Sequence, residues 1–130
     1  MSAPKATILI VEDNALNLEL ATDLLTGQGY AVQQANSAEA GLRLARAQPP
    51  SLILMDLRLP GMDGYAALRD LRGDARTSSI PIVALTAQAM KGDEEAARKA
   101  GFDGYIPKPI DTRTFGQTVA RLLSSKGGRS

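Results

Sequence analysis

Thr7-Ile-Leu-Ile-Val11 runs directly into Glu12-Asp13, and Leu52-Ile-Leu-Met55 runs directly into Asp56. Neither run alternates apolar with polar residues. Continuous apolar character means burial on both faces, which is how the strands of a parallel sheet read. Pro81-Ile-Val-Ala-Leu85 is a third run of this kind, and two shorter ones, Tyr30-Ala-Val32 and Gly104-Tyr-Ile106, bring the strands to five.

Helical segments separate the runs. Asn14 to Thr26 carries Leu16, Leu20 and Leu24 at four-residue spacing and stops at Gly27 and Gly29. Ser37 is placed to cap the next helix, with Leu42, Leu44 and Ala45 on its apolar side. Gly64 to Arg72 reads as a short third helix, and Gln88 to Ala100 as an Ala-rich fourth ended by Gly101. Asp111 caps the last, whose stripe is Phe115, Val119, Leu122 and Leu123. Five strand–helix alternations predict an α/β fold: a (βα)5 doubly wound, five-stranded parallel sheet with right-handed crossovers and strand order 2-1-3-4-5. One domain over residues 1–124 is expected, with a flexible tail at 125–130.

Composition narrows the chemistry. The 130 residues contain no Cys, His or Trp, which excludes disulfides, thiolate nucleophiles, His/Cys zinc sites and imidazole-based triads. Fifteen Lys and Arg against 14 Asp and Glu leave a net charge of +1, so nothing favours nucleic acid or a membrane surface as partner. There is neither a secretory signal nor an apolar run of the roughly 20 residues a membrane span requires. A cytoplasmic location is expected.

In open α/β sheets, ligands bind beyond the carboxyl ends of the strands, where the strand order reverses. Glu12 and Asp13 follow strand 1, Asp56 follows strand 3, Thr86 follows strand 4 and Lys108 follows strand 5. Strand 2 ends in Gln34-Ala35-Asn36 and brings no charge. Three carboxylates meet one ammonium, a deficit that a single divalent cation would neutralise. With only oxygen donors the cation should be hard: Mg²⁺ first, Mn²⁺ second. A metal, a Thr hydroxyl and a Lys together can hold a phosphoryl group, and a carboxylate can be the nucleophile that receives it. Spacing alone does not single out which acid that is.

These residues resemble the response-regulator receiver domain of bacterial two-component systems, the CheY-like, flavodoxin-like fold. The matching pieces are Ile8-Leu-Ile-Val-Glu-Asp-Asn14, Leu52-Ile-Leu-Met-Asp-Leu57, Leu59-Pro-Gly-Met-Asp-Gly64, Val83-Ala-Leu-Thr-Ala87 and Lys108-Pro109, in the family's order and across nearly the whole chain. Ala87-Gln-Ala-Met-Lys-Gly-Asp-Glu-Glu95 is most similar to DivK-type single-domain regulators and to receiver modules of hybrid histidine kinases.

The resemblance implies Asp56 as phosphoacceptor. It implies Asp13 as a direct metal ligand, Glu12 as one acting through water, and the backbone carbonyl of Arg58 as a further ligand. It makes Thr86 the switch hydroxyl, Lys108 the phosphate-binding lysine, Ala87 the small residue that leaves the phosphate room, and Tyr105 the aromatic that moves with Thr86. Pro109 would follow a cis peptide bond. Arg58 and Gln88 would flank the path of the hydrolytic water and tune the phosphate's lifetime. Pro107 departs from the commonest pattern by removing a backbone donor before Lys108.

The implied partners are a histidine kinase or histidine phosphotransfer protein and a downstream effector that reads the surface of helix 4, strand 5 and helix 5. Helix 1 carries more Leu than one core stripe needs, which suggests a docking patch for the phosphodonor. The chain ends about where its last helix ends, so no output domain is expected; the starting Met1 and the short tail favour a stand-alone regulator, the alternative being a module of a hybrid kinase or phosphorelay protein. No enzyme activity is expected beyond accepting and shedding its own phosphate. A dehalogenase-like phosphatase would want an acid where Arg58 stands, and a flavin binder would want a phosphate loop where Glu12-Asp13 stands.

Overall fold

A computed structural model describes residues 6–59, 61–86 and 91–127. The elements run β1 (Thr7–Val11), α1 (Ala15–Gly27), β2 (Ala31–Ala35), α2 (Ala38–Ala47), β3 (Leu52–Asp56), α3 (Gly64–Arg72), β4 (Ile82–Thr86), α4 (Lys91–Ala100), β5 (Gly104–Pro107) and α5 (Phe115–Gly127). The strands are parallel and ordered β2-β1-β3-β4-β5, as the sequence predicts.

Alternate side chains of β1 explain why it reads as continuously apolar. Leu9 and Val11 enter a core shared with α2, α3 and α4, through residues such as Leu42, Leu68 and Ala97. Ile8 and Ile10 enter a second core with Ala21 and Leu25 of α1 and Phe115 and Val119 of α5. All five residues of β3 and of β4 are buried. Each fully buried Leu or Ile contributes about 1.5–3 kcal/mol of apolar burial, so the three central strands dominate the stability.

Three helices start on their own side-chain caps. Asn14 Oδ1 accepts from Asn17 N (3.0 Å), Ser37 Oγ from Ala40 N (3.2 Å), and Asp63 Oδ1 from Ala66 N (2.8 Å). Each satisfies a backbone donor that the first helical turn leaves without a partner.

β2 continues past its apolar run to Ala35, within the Gln34-Ala35-Asn36 end that the sequence gives it, and the polar residues of this edge strand are anchored: the Gln33 amide donates to Gln48 O (3.1 Å) and the Gln34 amide to Thr22 Oγ1 (2.9 Å). Other boundaries differ from the sequence reading. Asp111 caps a turn at 112–114 before regular helix begins at Phe115, its carbonyl accepting from the N–H groups of Thr114 and Phe115. α5 runs to Gly127, with neither Gly nor Pro between Gly116 and Gly127 to stop it earlier. α4 is described from Lys91, and residues 88–90 of the expected helix lie outside the described residues. On α1 the core side is Ala21 and Leu25, whereas Leu16 is 77% exposed and Leu20 is 37% exposed. The four-residue Leu spacing therefore starts on solvent at Leu16 and Leu20 and ends at Leu24, half-buried against the second core.

Candidate functional site

β1 lies between β2 and β3, so the chain reverses its direction of travel across the sheet there, and a crevice opens at the carboxyl ends of β1 and β3. Three residues at this rim are held by the backbone of a neighbouring strand. Glu12 N donates to Ala35 O (3.0 Å), Asp56 stands in register with Leu85, and Lys108 N donates to Thr86 O (2.7 Å). The ladder delivers these side chains to one place although 96 residues separate Glu12 from Lys108.

Carboxylate oxygens of Glu12, Asp13 and Asp56 lie within 4.8 Å of one another. Glu12 and Asp56 are buried and Asp13 is exposed, so one acid of the group faces solvent and two face the protein. Lys108 Nζ bridges the buried pair, donating to Glu12 Oε1 (2.8 Å) and Asp56 Oδ2 (3.0 Å). The other oxygens take backbone donors: Arg58 N to Asp56 Oδ1 (2.9 Å) and Asn14 N to Glu12 Oε2 (3.1 Å).

The electrostatics reflect this crowding. Burial, then the hydrogen bond and charge of Asp56, hold the Glu12 carboxyl above its usual range despite the opposing pull of Lys108 and Asn14. For Lys108, burial works to lower the ammonium's pKa, but its bonds to Glu12 and Asp56 outweigh that and raise it. One ammonium therefore offsets three clustered acids only in part. An all-oxygen set with excess negative charge and an exposed acid at its mouth could hold a hard divalent cation.

The structure brings Glu12, Asp13, Asp56 and Lys108 together, with the backbone of Arg58 against Asp56 and its side chain exposed. Thr86 is buried at the end of β4. The Lys108–Pro109 peptide bond is cis. Tyr105 is half-buried against the core that α3 and α4 share. Ala87 and Gln88 lie outside the described residues. Sequence reasoning did not anticipate the direct Glu12–Lys108 bond, since residues so far apart carry no local signal of pairing.

The protein-family model described as "Response regulator receiver domain" matches residues 8–120. The polar-differentiation response regulator DivK of Brucella ovis is 43% identical over 117 residues, covering 90% of this chain and 95% of DivK. A putative response regulator from Chloroflexus aurantiacus superposes with a TM-score of 0.87 at 33% identity, covering 93% and 98% of the two chains. The receiver domain of the sensor histidine kinase PA1611 from Pseudomonas aeruginosa, described with a magnesium ion coordinated in its active-site cleft, superposes with a TM-score of 0.81 at 36% identity, covering 95% and 98%.

Proposed function

Because this chain belongs to the response regulator receiver domain family, whose members accept a phosphoryl group in two-component signalling, we propose that Asp56 is its phosphoacceptor and Lys108 its phosphate-binding lysine. The observation that carries this reading is the Lys108 bridge between Glu12 and Asp56 inside an acidic cluster. Mg²⁺ held by Asp13, Asp56 and the Arg58 carbonyl, with Glu12 beside it, would supply charge neutralisation for the incoming phosphoryl oxygens.

The chain's own residues do the rest. Arg58 N–H orients the Asp56 carboxylate, one oxygen of which attacks phosphorus. A P–O bond to Asp56 forms as the bond from phosphorus to the donor's histidine nitrogen breaks, and the departing nitrogen keeps the electron pair. Lys108 then moves from carboxylate to phosphoryl oxygen, and the Thr86 hydroxyl donates to another. Drawing Thr86 inward lets Tyr105 follow and changes the surface of α4, β5 and α5, which an effector protein reads. On that side an open groove of about 300 Å³ is lined by Tyr105, Pro107, Pro109, Phe115 and Arg121, among others. Hydrolysis of the acyl phosphate resets the switch, and the protein has no other catalytic activity.

The test is incubation with Mg²⁺ and acetyl phosphate. One acid-stable, base-labile phosphate on Asp56 is expected. Multiple turnover of unrelated phosphate esters, or no label at all, would overturn the reading.

Arg58 extends into solvent beside this site, and its side chain screens the phosphoryl group from water. Arg58→Ala is expected to shorten the phosphate half-life about fivefold, corresponding to about 1 kcal/mol in the hydrolytic barrier. An unchanged decay curve would remove Arg58 from that role.

The phosphodonor, a histidine kinase or histidine phosphotransfer protein, docks on the exposed Leu16 and Leu20 of α1, next to the crevice. Leu16→Glu is expected to slow transfer from a phosphorylated histidine phosphotransfer protein about tenfold, equivalent to 1.4 kcal/mol, while labelling by acetyl phosphate stays at the parent rate. Equal slowing with both donors would place Leu16 outside the docking face. The proposed regulator works in the cytoplasm; among the described residues no helix is long and apolar enough to cross a membrane.

A further inference from the structure

Gly64, the first residue of α3, sits where no side chain fits. A Cβ built on it would lie 2.9 Å from the Asp56 carbonyl oxygen, 2.9 Å from Leu57 Cα and 3.0 Å from Leu57 Cδ2. The first two of these atoms are backbone, which cannot swing aside as a side-chain tip can. Gly64 is therefore required for space. Gly61 in the same loop is the opposite case, with φ +83° and nothing within 4 Å of a built Cβ.

The close approach is also bonded. Gly64 N donates to Leu57 O (3.1 Å), and the adjacent Asp63 caps α3 through Ala66 N. The start of α3 is thereby fastened to the peptide units on either side of Leu57. Those same units carry the Asp56 carboxylate and the Arg58 N–H that holds it at 2.9 Å. Leu57 N in turn donates to Leu85 O of β4 (3.0 Å), so the segment is gripped from both sides.

We infer that Gly64 is a positioning residue for the phosphoacceptor: by letting α3 seat directly on the Asp56–Leu57 backbone, it fixes where the Asp56 carboxylate and the Arg58 carbonyl stand relative to Glu12 and Asp13. This rests on the reading of the acidic crevice as a cation and phosphate site. An added methyl group must push α3 and the 56–58 backbone apart. A shift of about 1 Å at a reacting group is enough to cost on the order of a hundredfold in rate.

The experiment compares Gly64→Ala with Leu25→Ala, a core truncation in α1 at the opposite end of the sheet, where Leu25 O accepts from Tyr30 N at the turn into β2. Mg²⁺ affinity is measured by calorimetric titration, folding by thermal unfolding, and phosphate uptake with acetyl phosphate. Gly64→Ala is expected to bind Mg²⁺ at least tenfold more weakly and to label at least tenfold more slowly. Leu25→Ala is expected to lose thermal stability while keeping Mg²⁺ affinity within twofold of the parent. Parent-like Mg²⁺ affinity and labelling in Gly64→Ala would overturn the inference, as would an equal loss of affinity in both variants.

A measurement on the parent keeps the test independent of how Gly64→Ala folds. On Mg²⁺ titration the amide resonance of Gly64 should move with the same midpoint as that of Arg58, and a Gly64 resonance that stays still would overturn the inference. A parent that binds no Mg²⁺ would instead defeat the reading of the crevice itself.

Discussion

In metal-free buffer, Lys108→Ala is expected to be about 3 kcal/mol less stable than the parent, and millimolar Mg²⁺ is expected to restore most of the difference. Removing one partner of a buried ion pair typically costs about 3–5 kcal/mol, because the charge left behind has no compensation. Here two acids would be left, with only 1% of the Glu12 side chain and 6% of the Asp56 side chain exposed. The elevated pKa of Glu12 shows that it already carries the cost of burial and of its acidic neighbour while Lys108 is present. A divalent cation would supply the missing positive charge, and a ligand at about 100 times its dissociation constant adds about 2.7 kcal/mol. Urea unfolding of both proteins with EDTA and with Mg²⁺ is the measurement. A variant as stable as the parent in EDTA, or one indifferent to Mg²⁺, would mean that Lys108 does not balance the cluster.

Asp56→Asn is expected to lower phosphate uptake from acetyl phosphate by at least about 100-fold, since an amide is not a nucleophile towards phosphorus at neutral pH. The substitution keeps the side chain's shape and one oxygen able to accept from Arg58 N. The fold should therefore survive, as a cooperative thermal transition would verify, and the lost labelling could be assigned to chemistry. Label incorporated at the parent rate would move the acceptor to another residue and end the proposal for Asp56.

Strands buried on both faces were the most legible part of the sequence, because Ile8–Val11 and Leu52–Met55 have no polar positions to confuse their reading. β2 was less legible, because Gln33 and Gln34 interrupt its apolar run and satisfy themselves on Gln48 and Thr22, contacts that no local pattern announces. The α1 leucines left their buried face open for a related reason. Spacing of four defines a face of a helix, but packing decides which face is buried, and the small Ala21 sits at the core while Leu16 stays outside. The acids of the crevice could be gathered from topology alone, whereas the paired hydrogen bonds of Lys108 and the tight seat of Gly64 depend on differences in distance of a few tenths of an ångström.

The caps of α1, α2 and α3 have a consequence for how such a protein can change over time. Asn14, Ser37 and Asp63 begin these helices, so Glu12, Asp13 and Asp56 are spared that duty even though they crowd the same rim. Folding and signalling draw on separate side chains there. A descendant that replaced its acids with uncharged residues would keep its helices started and its outer faces intact, and would be left as a shape that partners still recognise but phosphate no longer commands.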